Sequence, residues 1–204
     1  MLYSVRQLIR DTRTMLCLNA HEHPLFEAHD LVTLTVDQLI AAQIETAARK
    51  VVEEAPADLL APGVPLRAPL SWSGDHRRRI AVMPLPDDCL RLLYIRLSGW
   101  HRPATIITDA DAAYAWLSSP FAGVSGNADR PVAAVTMRPT GRVVELYSSC
   151  GDAPVYVEAA QYVPVPRIRD GHLSLPERLY DDVIRRIADQ LRSWNFGVSS
   201  GLGV

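Results

Sequence analysis

The sequence predicts an α+β chain: a small helical bundle of three main helices, interrupted by an antiparallel β-subdomain of about five short strands. Three observations predict it. Capping signatures at Ser4-x-x-Gln7, Thr35-x-x-Gln38 and Ser174-x-x-Glu177 each introduce an apolar stripe of helical period. Between the second and third, the pattern changes to short runs rich in Val, Ile, Leu and Tyr, bounded by Pro, Gly and Asp. Strands do not alternate with long helices, which disfavours a doubly wound nucleotide-binding sheet.

The first helix follows Ser4 and carries Val5, Leu8, Ile9, Thr12 and Leu16 on one face. The second follows Thr35, with Ile40, Ile44, Ala47, Ala48, Val51 and Ala55 on its stripe, and Pro56 closes it. Residues 55–70 then hold four prolines, Pro56, Pro62, Pro65 and Pro69, and read as a linker or extended arm. Strands are expected at 79–83, 90–97, 132–137, 142–148 and 155–163, with "RPTG" (138–141) as a hairpin connection. A helical turn fits 109–117, with Thr108 as its cap. The third helix follows Ser174 and places Leu179, Val183, Ile184, Ile187, Ala188 and Leu191 opposite Asp181, Asp182, Arg185, Arg186 and Asp189. Each amphipathic helix needs a partner for its stripe, and packing all three together is the simplest solution. The expected division is a bundle from residues 1–60 and 172–196, a β-rich insert with one short helix over 61–171, and a flexible tail at 197–204.

Composition narrows the function classes. Of 204 residues, 48% are hydrophobic and 22% charged, an ordinary globular balance. No apolar run approaches the roughly 20 residues that span a bilayer, so no membrane association is expected. Arg6, Arg10, Asp11 and Arg13 break up the first helix, which does not read as a secretory signal; synthesis in the cytoplasm is expected. Cys17, Cys89 and Cys150 are isolated and odd in number, so free thiols are expected. A net charge of −2 gives no global attraction to nucleic acid. Of 21 basic residues only Lys50 is lysine. A GC-rich genome produces that bias, and so does a surface of planar guanidinium contacts.

Few residues raise a chemical question. "NAHEHPLFEAHDLVTL" (19–34) holds His21, His23 and His29, three of the six histidines, with Glu22, Glu27 and Asp30. His21 and His23 would share a face of an extended backbone, and Pro24 favours that conformation at His23. No HExxH and no downstream Cys/His pair completes a zinc set, so the stretch reads as a polar connection between helices. "GVSSG" (197–201) matches the GxSxG elbow in letters, but only three residues follow it and the Asp and His partners cannot. Asp87-Asp88 and Asp181-Asp182 are adjacent carboxylates, which splay apart on strand or helix and read as turn and helix-start residues. "HRRR" (76–79) reads as a solvated edge, since no Gly-rich cradle or stacking aromatics accompany it.

From "PLPDDCLRLLYIRLSGW" (84–100) onward the order of features resembles a known family. The features are Leu85-Pro86-x-Asp88-x-Leu90-Arg91-Leu92 and Trp100-x-Arg102, then "FAGVSGNADRPVAAV" (121–135), "GRVVELYSS" (141–149), "YVPVPRI" (162–168) and "LSLPERLYDDVIRRIADQL" (173–191). With "TLTVDQLIAAQIETAARKVVEEAPADLL" (33–60), they resemble the head-to-tail adaptor proteins of short-tailed bacteriophages. These are the ring or tail-tubular proteins beneath the portal, especially those of gut Bacteroidales phages. The resemblance covers roughly residues 5–191 and is one of pattern and order.

It implies a non-enzymatic virion structural protein, a dodecameric ring between portal and tail with DNA passing through its lumen. The implied partners are copies of itself, the portal protein, downstream tail or ring proteins and, non-specifically, DNA. No catalytic, cofactor-binding or metal residue is assigned, and no cofactor is expected. Ring contacts join different patches of identical subunits, and Arg and Trp are favoured at such interfaces. Trp72, Trp100, Trp116 and Trp194 are accordingly either interface anchors or core. Two other functions compete: a metal-dependent hydrolase using His21, His23 and His29, and a small nucleic-acid- or peptide-binding module using 76–79 and the hairpin.

Overall fold

The computed structural model describes residues 1–17, 35–73, 80–117, 126–147 and 155–193. Two compact units emerge, one from Met1–Leu60 with Pro166–Val204 and one from Ala61–Val165. In chain order the first opens with β1 (Leu2–Ser4), α1 (Val5–Met15), α2 (Val36–Glu54) and α3 (Ala57–Leu60). The second holds β2 (Val64–Pro65), β3 (Ser71–Ser73), β4 (Ile80–Pro84), β5 (Cys89–Leu97) and β6 (Thr105–Thr108). It continues with α4 (Ala112–Trp116), β7 (Val132–Arg138), β8 (Gly141–Tyr147) and β9 (Val157–Pro164). Back in the first unit come β10 (Ile168–Arg169), β11 (His172–Ser174), a 3-10 turn at Glu177–Leu179 and α5 (Tyr180–Ser193).

In the helical unit α1, α2 and α5 pack on one another through their apolar stripes. Ile40, Ile44, Ala47, Ala48, Val183, Ile187 and Ala188 are buried, as is Leu8 of α1. Small alanines at Ala47, Ala48 and Ala188 let helix backbones approach closely. Ser4 Oγ accepts the Gln7 N–H at 3.1 Å, and Thr35 forms a full capping box with Gln38. The third expected cap is corrected. Pro176 precedes a 3-10 turn, α5 begins only at Tyr180, and Ser174 ends β11 instead. β1 pairs antiparallel with β11, Leu2 opposite Ser174 and Ser4 opposite His172.

The second unit is strand-rich. One sheet runs β3-β4-β8-β7-β6 and the other β2-β9-β5. Both contribute to one core: Ala81, Met83, Ala133, Val144 and Leu146 from the first, Leu92, Ile95, Leu97, Ala160 and Tyr162 from the second. Trp100 completes it, 3% exposed. The Pro139-Thr140 connection joins β7 to β8, with Arg138 opposite Gly141. Gly141 has φ +112°, a backbone region that favours glycine, so this residue makes the tight return possible.

The expected fold class is therefore corrected. Three helices exceed seven residues, but five are present, together with eleven strands in three sheets among the described residues. The helical unit itself carries a sheet, β1-β11-β10. Five of the strands have only two or three residues, too short for alternation to show in the sequence. Nor is the insert wholly antiparallel. β6 pairs parallel to β7, Thr105 opposite Val132, and α4 lies in the crossover such a pair requires. Inside the proline-rich arm, α3 was equally unsignalled.

Candidate interaction site

The site grows from the arm that joins β2 to β3. Val64 and Pro65 pair with Tyr162 and Gln161 of β9, and the Leu66 N–H donates to the Ala160 carbonyl at 2.8 Å. Pro69 has no N–H to donate, so the arm cannot continue an unbroken ladder. β9 runs on toward its start with β5 on one flank, Arg96 opposite Ala159 and Leu97 opposite Val157. A bulge at Glu158 interrupts that pairing. On the other flank, Val157–Ala159 pairs with no strand among the described residues.

Between arm and strand lies an open groove of about 900 Å³, lined among others by Leu66, Ala68, Leu70, Trp72, Tyr156 and Ala159. Leu66 is buried, while Trp72 is 45% and Tyr156 61% exposed. Trp72 sits on β3, the terminal strand of its sheet. The groove thus combines a strand flank unpaired among the described residues with two partly exposed large aromatics, and its charge is mixed, with Arg67 and Glu158 both lining it. Glu158 is paired with Arg96 across β5 and β9, Nε to Oε2 2.8 Å.

A second cluster lies on the β7–β8 hairpin. Glu145 is buried and accepts from Arg138 Nη2 at 2.6 Å, Tyr147 Oη at 2.8 Å and Tyr114 Oη at 3.4 Å. Burial pushes the Glu145 carboxyl up, but the donors on Tyr147 and Arg138, with the Arg138 charge, outweigh it and hold the group below its usual range. Burial, and the carboxylate beside them, push both Tyr147 and Tyr114 above the ordinary tyrosine value. An ionised carboxylate locked by neutral phenols and an arginine exchanges no proton near neutrality. Its role is to tie α4 and the hairpin together.

Two further features are smaller. His101 Nδ1 and Asp129 Oδ1 stand 2.6 Å apart on the surface, and the His101 hydrogen bond lowers the Asp129 carboxyl, helped by Arg102 and Arg130. In the helical unit a groove of about 690 Å³ runs between α2 and α5, with Val51, Ala55 and Leu179 along it and charges of both signs at its rim. Glu54 and Arg186 pair there, Oε1 to Nη2 3.0 Å.

The residues singled out from sequence are distributed as follows. His21, His23, His29 and their carboxylates, the 76–79 basic run, "GVSSG", Cys150 and Trp194 lie outside the described residues. Asp88 sits in the β4–β5 turn, where it accepts from the Tyr162 hydroxyl at 3.3 Å. Asp181 and Asp182 occupy the first turn of α5. Trp100 is core, and Trp116, on α4, is 65% exposed. Cys17 is an exposed free thiol and Cys89 a buried one. Among the described residues no three His, Cys, Asp or Glu side chains converge to hold a metal, and no helix is long and apolar enough to cross a membrane. Sequence reasoning missed both Glu145 and the groove. A glutamate inside the apolar run "RVVELY", a few residues beyond the hairpin turn from Arg138, was the available signal for the first.

No protein-family model matches the sequence, and no curated protein matches it.

Proposed function

We propose that this chain is a virion structural subunit of the head-to-tail connector class. It assembles as a ring of identical copies between portal and tail, with DNA passing through the lumen without being chemically altered. The observation that carries the reading is the pair of exposed aromatics, Trp72 and Tyr156, set at a groove whose β9 flank has no paired strand among the described residues. Fully burying a large apolar side chain is worth about 1.5–3 kcal/mol, and aromatic anchors of this type dominate association energies. An open strand flank beside them adds main-chain donors and acceptors that another chain satisfies. The order of sequence features from 33 to 191, which resembles the connector family, supports the same reading.

The test is to look for a portal gene beside this one and to mix its product with this chain. Negative-stain images and mass photometry of the mixture are expected to show rings seated on the portal. A chain that stays monomeric alone and leaves the portal unbound at micromolar concentrations overturns the proposal.

A further inference from the structure

Tyr3 and Tyr180 meet ring on ring, with centroids 4.3 Å apart and a tilt of 34°. Tyr3 is the middle residue of β1 and Tyr180 the first of α5, and both are half-buried within the helical unit. Pairing of Tyr3 with Leu173 fixes the backbone under the first ring. The Tyr180 hydroxyl donates to Asp11 Oδ2 at 2.6 Å, which fixes the second. Burial raises both phenols above the ordinary tyrosine range, helped by Asp11 at Tyr180 and by Glu177 and Asp181 at Tyr3. Both hydroxyls therefore keep their protons at neutral pH. A phenol that loses an electron becomes strongly acidic, and the Asp11 carboxylate is placed to take the proton from Tyr180.

We propose that Tyr3 and Tyr180 are a site of oxidative modification, a dityrosine crosslink made by a peroxidase-type one-electron oxidant with hydrogen peroxide as the final acceptor. Each ring gives up one electron and its phenolic proton. The two radicals carry spin on the carbons ortho to oxygen, and a small rotation of the stacked rings brings one such Cε of each together. The odd electrons pair in a single Cε–Cε bond. The hydrogens on those two carbons then pass through solvent to the oxygens, and both rings regain their hydroxyls. The pair loses two hydrogen atoms, and one hydrogen peroxide becomes two waters. The new bond ties β1 to α5 and closes nearly the whole described chain into one loop, which restricts the unfolded chain more than the folded one. Contact and not exposure selects the pair. Tyr156 is 61% exposed and more open to an oxidant, but no tyrosine ring lies on it among the described residues. The crosslink needs one copy of the chain and no portal, so it forms or fails independently of the connector reading.

The test treats the dilute, folded full chain with a plant peroxidase and hydrogen peroxide, then isolates monomers, digests them with trypsin and reads the peptides by mass spectrometry. The expected product joins Met1–Arg6 to Leu179–Arg185 in one species, lighter than the sum of the two by two hydrogens, and the monomer carries dityrosine fluorescence. Tyr3→Phe and Tyr180→Phe, each shown to be folded by circular dichroism, are expected to lose that species, while Tyr156→Phe keeps it. Asp11→Asn leaves the ring contact and is expected to slow its formation severalfold; an unchanged rate overturns the part given to the carboxylate. Monomers without the linked peptides overturn the proposal, whether the oxidant has joined other tyrosines, such as Tyr114 and Tyr147, or only copies to one another. So does sulfoxide at Met1, whose Sδ lies 3.8 Å from the Tyr3 hydroxyl, with no carbon–carbon link. An equal yield from the chain unfolded in denaturant overturns it as well, because the stacked geometry would then contribute nothing.

Discussion

Arg138 and Glu145 are seven residues apart in sequence, and Nη2 of the first lies 2.6 Å from Oε1 of the second. The carboxylate is 8% exposed and the guanidinium 33%, so the pair is anchored at its acidic end and open to water at its basic end. Glu145→Gln removes the charge while keeping the shape. The remaining arginine can turn toward solvent, so the expected loss is about 1–3 kcal/mol and not the larger cost of a stranded buried ion. Chemical denaturation followed by circular dichroism measures it.

The same carboxylate gives a pH dependence. Its folded pKa lies below its unfolded value, so the stabilisation is fully present above the ordinary glutamate range of about 4.3. As pH falls from there toward the lower folded value, the unfolded chain takes the proton first and stability is lost. Thermal melts between pH 7 and 3 are expected to fall less steeply below that range for Glu145→Gln than for the parent.

Trp72→Ser and Tyr156→Ser separate assembly from folding. Tyr156 is 61% exposed, so Tyr156→Ser is expected to move unfolding stability by no more than about 0.5 kcal/mol, whereas Trp72 is 45% exposed and Trp72→Ser is expected to cost about 1–2 kcal/mol. The double variant is nevertheless expected to lose ring formation with portal by at least tenfold in apparent affinity, read by mass photometry across a dilution series.

Gly63→Ala probes the packing of the chain entering β2 against β9. A Cβ at this position would lie 2.8 Å from the Tyr162 carbonyl oxygen and 3.0 Å from Leu93 Cδ1. Because the first neighbour is backbone of β9, the arm must shift. Overpacking of this kind costs about 1–3 kcal/mol, and a lowered melting temperature is expected.

Tyr180→Phe tests the helical unit. The hydroxyl donates to Asp11 Oδ2 at 2.6 Å, joining α5 to α1, while the ring stacks tilted on Tyr3 with centroids 4.3 Å apart. Phenylalanine keeps the ring contact and loses a charge-assisted hydrogen bond. The expected loss is about 1–3 kcal/mol in the same denaturation assay.

How much was legible depends on how long each element is. The stripes of α2 and α5 run for several turns, and Ile40, Ile44, Ala47, Ala48 and Val51, with Val183, Ile184, Ile187, Ala188 and Leu191, are buried as their spacing demands. Longer strands such as β5 and β8 announce themselves by composition. By contrast β1, β10 and β11 exist because their partners hold them, and three residues show no period of their own. β6 was hidden because its parallel partner lies beyond α4, a relationship that neighbouring residues do not encode. Similarly, the groove arises where a proline-bearing arm departs from β9. Pro65 and Pro69 mark the departure, but which strand is left uncovered depends on three-dimensional pairing.

The pairing of Leu2 and Tyr3 with Ser174 and Leu173 ties the start of the chain to residues late in it, and α5 then packs on α1 and α2. During synthesis, every residue of Ala61–Val165 has been made before β11 is, so the inserted unit has all its own strands in hand while the unit that brackets it still lacks one ribbon partner and a helix. Ribosome-stalled chains released at successive lengths should therefore acquire the protease resistance of the insert first and that of the bundle only after α5 has left the exit tunnel.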